Sequence, residues 1–197
     1  MGKTVLIALA VVIAAAAIFL FMVTKGPGFK QYRKFIEPQI IKMEDRKMLV
    51  VELKGDPNEQ APKAFSKLFS VYFKLKGASM KTAPLGRWAN VDNTPASEWA
   101  GSYAVPVPDG LTILPEQKEE PATRIEEWMY GDVAQILHIG PYEEEMPDIN
   151  KLRDFITASG YKISGPHEEE YIKGPGMIFK GNPKHYWTLI RYNVVKK

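Results

Sequence analysis

Apolar residues form one long uninterrupted run near the start of the chain and are interspersed with polar residues after it. Residues 4–23 are apolar apart from Thr4, and the run is flanked by Lys3 and Lys25. A helix of this length rises about 30 Å, which matches the hydrocarbon core of a bilayer. The apolar core of a cleaved signal peptide is usually only about 7–15 residues long, and no good cleavage site follows the run. The pattern therefore predicts an N-terminal transmembrane anchor within residues 1–25.

The charges around this run predict its orientation. Only Lys3 and the N-terminus precede the run, and four basic residues follow it closely: Lys25, Lys30, Arg33 and Lys34. The positive-inside rule then predicts a single-pass membrane protein whose folded domain lies in the cytoplasm. Residues 26–46 are predicted to be a juxtamembrane linker, because Gly-Pro-Gly at 26–28 interrupts the helix and the aromatic and basic residues after it suit the headgroup layer.

From residue 47 onward, the same pattern of elements occurs twice. Strand-like segments that end in glycine lie at 48–55 and 132–140, and a proline-containing acidic stretch follows each of them. Apolar residues at helical spacing then predict helices over 62–76 and 147–159. Two further strand-like segments follow each helix, at 87–91 and 98–107 in the first unit and at 167–172 and 185–195 in the second.

These elements predict an α+β domain over residues 47–197, built from duplicated strand–helix–strand–strand modules. The first module covers about residues 47–110 and the second about residues 123–197. A helix covers only one face of such a module, so the two copies are expected to share a surface. The seam between them is a natural concavity for a ligand.

Composition and charge exclude several function classes. The chain has 26 basic and 23 acidic residues. Two of the basic residues, Lys3 and Lys25, precede residue 26, so residues 26–197 have 24 basic and 23 acidic residues and a net charge of +1. A nearly neutral domain gives no footprint for nucleic acid. The chain has no cysteine, which excludes disulfides and thiolate sites. The spacing of His138, His167 and His185 matches no common metal motif, so no metal or other cofactor is predicted.

Several segments together resemble the GyrI-like small-molecule-binding domains. In the second half they are 133–140 with Pro141-Tyr142, Ser159-Gly160-Tyr161, Gly165-Pro166, Glu169-x-Tyr171 and 188–194; in the first half they are the turn at 92–95 and Val105-Pro106-Val107. The resemblance covers about residues 47–195. It implies a tandem pair of modules, a mostly antiparallel sheet with two helices on one face, and a ligand cleft near the pseudo-twofold axis. It also implies a domain that binds small molecules, in some relatives with hydrolase activity.

Glu169 and Tyr171 are the first candidates for a site, because they match the family's Glu-x-Tyr and share one face of a predicted strand. A carboxylate among aromatic rings can bind a ligand, or can act as a general base if burial raises its pKa. The alternative is that Glu169 belongs to a solvated acidic run, as we interpret residues 116–120 and 143–145. Further candidates are aromatic residues that could form the walls of a pocket, although a tryptophan is more often core: Trp88, Trp99, Trp187 and Tyr142.

The last strand departs from the family pattern. Leu189 stands where the family usually has a glutamate that points into the pocket. Strand alternation puts Leu189 on one face with Trp187 and Arg191. If this face lines the cleft, the cleft is more apolar and carries a cation, which argues against a preference for cationic drugs. Leu189 and Arg191 therefore complete the set of candidate ligand-binding residues.

The sequence predicts a binding module rather than an enzyme. It lacks the motifs of phosphate loops, nucleophile elbows, kinases and zinc proteases, so no catalytic residue is assigned. We expect membrane-anchored binding of an amphipathic or aromatic small molecule in the cleft between the modules, with residues 4–23 in the membrane. One alternative is a hydrolase of reactive small molecules that uses Glu169. Another is a protein-docking adaptor without a small-molecule ligand, whose protein partner the sequence does not identify.

Overall fold

Eight strands form one antiparallel sheet in the computed structural model, which describes residues 28–79, 82–89, 91, 94–117, 120–175 and 181–197. The strands are β1 (Gln39–Met43), β2 (Arg46–Lys54), β3 (Leu85–Trp88), β4 (Ala100–Pro106), β5 (Arg124–Trp128), β6 (Gly131–Ile139), β7 (Tyr161–Lys173) and β8 (Trp187–Lys196). The helices are α1 (Phe29–Tyr32), α2 (Pro57–Tyr72) and α3 (Met146–Ala158). None of the helices in the described part of the chain is long and apolar enough to span a membrane. The predicted anchor, residues 4–23, lies outside the described residues.

The strand order is β1-β6-β8-β7-β3-β4-β2-β5. Each half of the chain contributes two strands, a helix and two more strands, and β3 and β7 meet at the centre. The first strand of each half pairs with a strand of the other half: β1 pairs with β6, and β5 pairs with β2.

The sheet is strongly curled. β1 and β2 are six strand positions apart, about 29 Å in a flat sheet. Yet Met43 and Arg46 are separated by only two residues, which span about 11 Å at most. The two ends of the sheet must therefore approach each other. A hydrogen bond of 2.8 Å from the Tyr130 backbone N–H to Asp45 Oδ1 joins the β5–β6 connection to the β1–β2 connection.

Both long helices pack on the same face of the sheet, the helix face. The side chain of Asp56 accepts a hydrogen bond from the Asn58 backbone N–H and so caps α2, which begins with Pro57. The buried stripe of α2, which includes Leu68 and Val71, packs against β2 and β4. The buried stripe of α3, which includes Leu152, packs against β6 and β8. The two helices thus leave the central strands β3 and β7 between them.

The other side of the sheet, the opposite face, has an apolar core and buried or half-buried charges. Its apolar residues include Met48, Leu85 and Trp128. The charges come from three arginines and two glutamates that form one network: Arg46, Arg87, Arg191, Glu168 and Glu170. The short helix α1 also lies on this face, because Phe29 contacts Trp187 with a ring-centroid distance of 5.2 Å.

The observed elements confirm the predicted α+β class with a mostly antiparallel sheet. They differ from the sequence prediction in four places, and one of these is β7, which begins at Tyr161 instead of residue 167. β1 (Gln39–Met43) lies in the predicted linker, and β5 (Arg124–Trp128) was not predicted. Both are edge strands with many polar residues, which hides the usual apolar alternation. α2 begins at Pro57 instead of residue 62, because the Asp56 cap starts the helix earlier and Pro62 is accommodated within it.

Candidate functional site

Glu169 lies on the helix face at the centre of the sheet, and two neighbours on its own strand hold its carboxylate. His167 and Tyr171 are two residues away on either side, so strand alternation turns all three side chains to the same face. His167 Nε2 is 2.7 Å from Glu169 Oε1, and Tyr171 Oη donates to Glu169 Oε2 at 2.7 Å. The carboxylate, only 13% exposed, is thus held in a fixed orientation by two hydrogen bonds.

A chain of hydrogen bonds continues from Glu169 to α3. His167 Nδ1 is 2.9 Å from Tyr192 Oη, and Arg153 Nη2 donates to Tyr192 Oη at 3.1 Å. Because Tyr192 Oη accepts from Arg153, its own proton can go to His167 Nδ1. His167 can then donate from Nε2 to Glu169 Oε1. This arrangement fixes the imidazole and keeps Glu169 as the acceptor at the end of the chain.

Glu145, at the start of α3, brings a second carboxyl to Glu169. Burial raises the pKa of Glu145 to about 10, and the negative charge of Glu169 adds to that shift. Burial also opposes ionisation of Glu169, but hydrogen bonds from His167 and Tyr171 outweigh it and lower the pKa of Glu169. At neutral pH the two carboxyls therefore differ, with the proton on Glu145 and the charge on Glu169.

Sequence reasoning missed Glu145, because it interpreted the run 143–145 as solvated charge. Glu143 and Glu144 are exposed, whereas Glu145 is only 5% exposed. Its Oε1 atom, like Thr188 Oγ1, has no hydrogen-bond partner by distance and angle among the described residues. The position of the run could have indicated this burial. The run leads into a helix directly after the matched Pro141-Tyr142, and a residue at the start of a packed helix can point toward the sheet.

Aromatic side chains surround this carboxyl pair. Tyr171 contacts Phe65 of α2 and Tyr142, with ring centroids 5.6 Å and 5.5 Å away, and Tyr142 contacts Tyr186 at 5.4 Å. The Glu169 carboxylate thus accepts a hydrogen bond from one member of a cluster of four aromatic rings.

Trp88 forms the other wall of the site, 6.0 Å from the His167 ring between centroids. Its indole lies across Gly86 and Gly101. A Cβ atom at Gly86 would be 2.4 Å from Trp88 Cη2, and one at Gly101 would be 2.9 Å from Trp88 Nε1. The two glycines therefore provide the space in which the indole lies flat against the sheet.

Three of the predicted site residues lie on the opposite face, away from Glu169: Trp187, Leu189 and Arg191. Leu189 is paired with Glu170, whose side chain points away from α3. The argument against cationic ligands from Leu189 and Arg191 therefore does not apply to the surroundings of Glu169. Trp99 is on the helix side but peripheral, half-buried against the α2 core, and its Nε1 donates to the Thr94 carbonyl at 2.9 Å.

The site offers acid–base groups and no evident metal ligands. Among the described residues, no group of three or more His, Cys, Asp or Glu could hold a metal ion. Glu169 lines neither of two shallow depressions in the surface. One, of ≈ 320 Å³, lies beside Arg153 and Tyr161, and the other, of ≈ 340 Å³, lies beside Glu52 and Ser102. The chemistry of this centre is that of an ionised acceptor next to a neutral carboxylic acid, with aromatic side chains nearby.

Solved structures share this fold. An uncharacterized conserved protein from Listeria innocua is 23% identical with a TM-score of 0.68, covering 85% of this chain and 98% of that chain. A hydrolase from Listeria innocua is 21% identical with a TM-score of 0.67, with the same coverage of both chains. The EcmrR C-terminal domain is 12% identical with a TM-score of 0.63, covering 82% of this chain and 98% of its own. At these identities the likeness concerns the fold alone.

A search of curated proteins gives no match. The model of the GyrI-like small molecule binding domain matches residues 36–188, which is well over half of the chain and includes β1 to the start of β8. The chain belongs to the GyrI-like family of small molecule binding domains.

Proposed function

We propose that the cleft around Glu169 binds a small aromatic or amphipathic molecule. The observation that carries this proposal is a buried, oriented carboxylate enclosed by aromatic side chains, including Tyr171, Tyr142 and Trp88. Aromatic walls supply contact area, and one polar group fixes the orientation of a ligand. Family membership and the matching order of elements in the two halves, which suggests tandem modules, support a cleft between them.

The charges in the cleft favour a ligand that carries a hydrogen-bond donor or a positive charge. Glu169 is an acceptor with a lowered pKa, and the neutral Glu145 adds no second negative charge at pH 7. The ring faces of Tyr142 and Tyr171 also attract cations. Arg191, which the sequence suggested as a cation in the pocket, pairs with Glu170 on the opposite face instead.

A thermal-shift screen tests this proposal. The full chain in detergent is heated with cationic, neutral and anionic aromatic compounds; a ligand at 100 times its dissociation constant adds about 2.7 kcal/mol of stability. We expect the cationic class to give the largest shifts, and Glu169→Gln to abolish them. Glu168→Gln is unsuitable as a control because Glu168 is buried in the ion network. The control variant is Glu144→Gln, which changes an exposed residue near the cleft. A flat response to all three classes would favour the adaptor function.

A second candidate function is hydrolysis, favoured by the contrast between Glu145 as a neutral acid and Glu169 as an ionised base. Such a pair can activate water and protonate a leaving group. A hydrolase from Listeria innocua with the same fold is consistent with this candidate. Each compound that gives a shift is therefore incubated in ¹⁸O-water. A product that contains ¹⁸O, formed by the native chain and not by Glu169→Gln, would establish turnover.

We also propose that residues 4–23 anchor the domain to a membrane, with the domain in the cytoplasm. The apolar length of the segment and the excess of basic residues after it support this. The chain is expected to stay with membranes during carbonate extraction and to resist protease added outside intact cells. Release by carbonate would contradict the anchor, and cleavage of the domain from outside would reverse the orientation.

A further inference from the structure

One end of the sheet carries an exposed apolar and basic surface, which we call the α1 end. It consists of Phe29 and Lys30 of α1, Ile139 at the end of β6, Lys173 at the end of β7, and Lys184 and Trp187 at the start of β8. Ile139 and Lys173 are the neighbours of Trp187 on either side in the sheet. Phe29 and Ile139 are exposed although they are apolar.

The contacts at this end tie α1 to the sheet. Phe29 and Tyr32 both contact Trp187, with ring centroids 5.2 Å and 6.2 Å away. Lys173 Nζ lies 5.1 Å from the centre of the Trp187 ring. The first described residues of the chain are therefore packed against the domain and are not a free linker.

The length of chain before α1 restricts how far this end can be from a membrane. Five residues separate residue 23 from Phe29, a span of about 20 Å at most. β8 alone, Trp187–Lys196, is about 33 Å long. Trp99 directly precedes β4. Gly101, near the start of β4, pairs with Trp88, and Trp88 pairs with His167. β4 therefore starts at the end of the strands opposite to the α1 end. The α1 end is therefore nearer to the membrane than the end with Trp99.

The chemistry of the α1 end matches a bilayer surface. Aromatic side chains are favoured at the headgroup level, and lysines next to a membrane attract anionic lipids. Lys30, Lys173 and Lys184 are exposed around Phe29 and Trp187. The exposed Glu143 and Glu144 follow the same end of β6, in the turn with Tyr142, so the three lysines outnumber the acidic side chains of that turn by one.

We propose that the α1 end rests on a bilayer surface that contains anionic lipids, and that the cleft opens beside it. This inference rests on the proposed anchor. Tyr186 directly precedes Trp187, and the exposed Met146 begins α3, so the Tyr142–Tyr186 side of the cleft is at the same end of the strands. An amphipathic molecule dissolved in the bilayer then reaches Glu169 without crossing the bulk solvent.

Tryptophan quenching by lipids tests this orientation. The full chain is reconstituted into phosphatidylserine-containing vesicles whose acyl chains are brominated near the headgroup. Trp187 and Trp99 are both half-buried and lie at opposite ends of the strands, whereas Trp88 and Trp128 are buried. We expect the native chain to be quenched, Trp99→Phe to keep the quenching, and Trp187→Phe to lose most of it. Equal quenching in the two variants would overturn the proposal.

Two further measurements separate the possible failures. Lys173→Glu is expected to weaken quenching in vesicles with phosphatidylserine and not in vesicles of phosphatidylcholine alone; no difference would overturn the role of anionic lipid. Carbonate extraction of the same vesicles tests the anchor. Release of the chain would overturn the anchor and the orientation together, whereas a retained chain with unquenched Trp187 would overturn the orientation alone. Ligand binding in the thermal-shift screen is independent of both results.

Discussion

Replacing Arg191 with methionine is expected to lower the free energy of unfolding by about 3–5 kcal/mol. Arg191 is only 7% exposed, and its guanidinium lies 2.6 Å from a Glu170 oxygen and 3.3 Å from a Glu168 oxygen. Its Nε also donates to Gln135 Oε1 at 2.9 Å. Methionine fills similar space, but it leaves Glu168 and Glu170 buried with fewer partners. The measurement is urea denaturation of the native and variant chains under identical conditions.

A matched control comes from the surface of the same sheet. Arg124 also contacts two carboxylates, Glu52 and Glu126, each at 2.7 Å, but its side chain is 48% exposed. Because exposed ion pairs contribute at most about 1 kcal/mol, Arg124→Met is expected to change stability by less than that. An equally small effect of Arg191→Met would show that the network on the opposite face is solvated in solution.

Glu145→Gln is expected to make the protein more stable at alkaline pH and to flatten the dependence of its stability on pH. The pKa of Glu145 is raised to about 10 in the folded state from an ordinary value of 4.5. Between these values the folded state holds a proton that the unfolded chain has lost, so native stability falls as pH rises. Glutamine is neutral throughout and removes this loss. Since one pKa unit is worth about 1.4 kcal/mol, the variant should gain more than about 1.4 kcal/mol at pH 8.

Urea midpoints measured from pH 5 to pH 9 test this prediction. The lowered pKa of Glu169 acts only below its ordinary value of 4.5 and does not affect that window. Glu144→Gln, one residue away and exposed, is expected to leave the slope unchanged. If Glu145→Gln has the native slope, Glu145 is ionised and solvated, and the acid–base contrast with Glu169 is lost.

Local sequence patterns predicted the helices and strands whose apolar residues recur with a clear periodicity. The stripe of α2 follows from residues such as Leu68 and Tyr72, and strand alternation put Glu169 and Tyr171 on one face. Alternation also separated Leu189 and Arg191 from their neighbours on β8, but it could not say which of the two faces contacts the helices. That choice depends on packing between distant segments.

Glu145 shows the same limit more clearly. Three consecutive glutamates have the same composition whether they point to solvent or inward. Only the position of α3 over β8 makes the third one buried beside Thr188. The edge strands β1 and β5 were missed because each gains its partners from the other half of the chain.

The exchange of first strands between the two halves has a consequence for biosynthesis. β1, the first strand to be made, pairs with β6, whereas β8, the last, inserts between β6 and β7. Neither half can complete its hydrogen bonding before β8 has left the ribosome. Such long-range pairing makes folding slow and leaves strand edges open for longer. The nascent chain should therefore need protection from aggregation until β8 has emerged, and fragments cut between β4 and β5 should fold only when both are present.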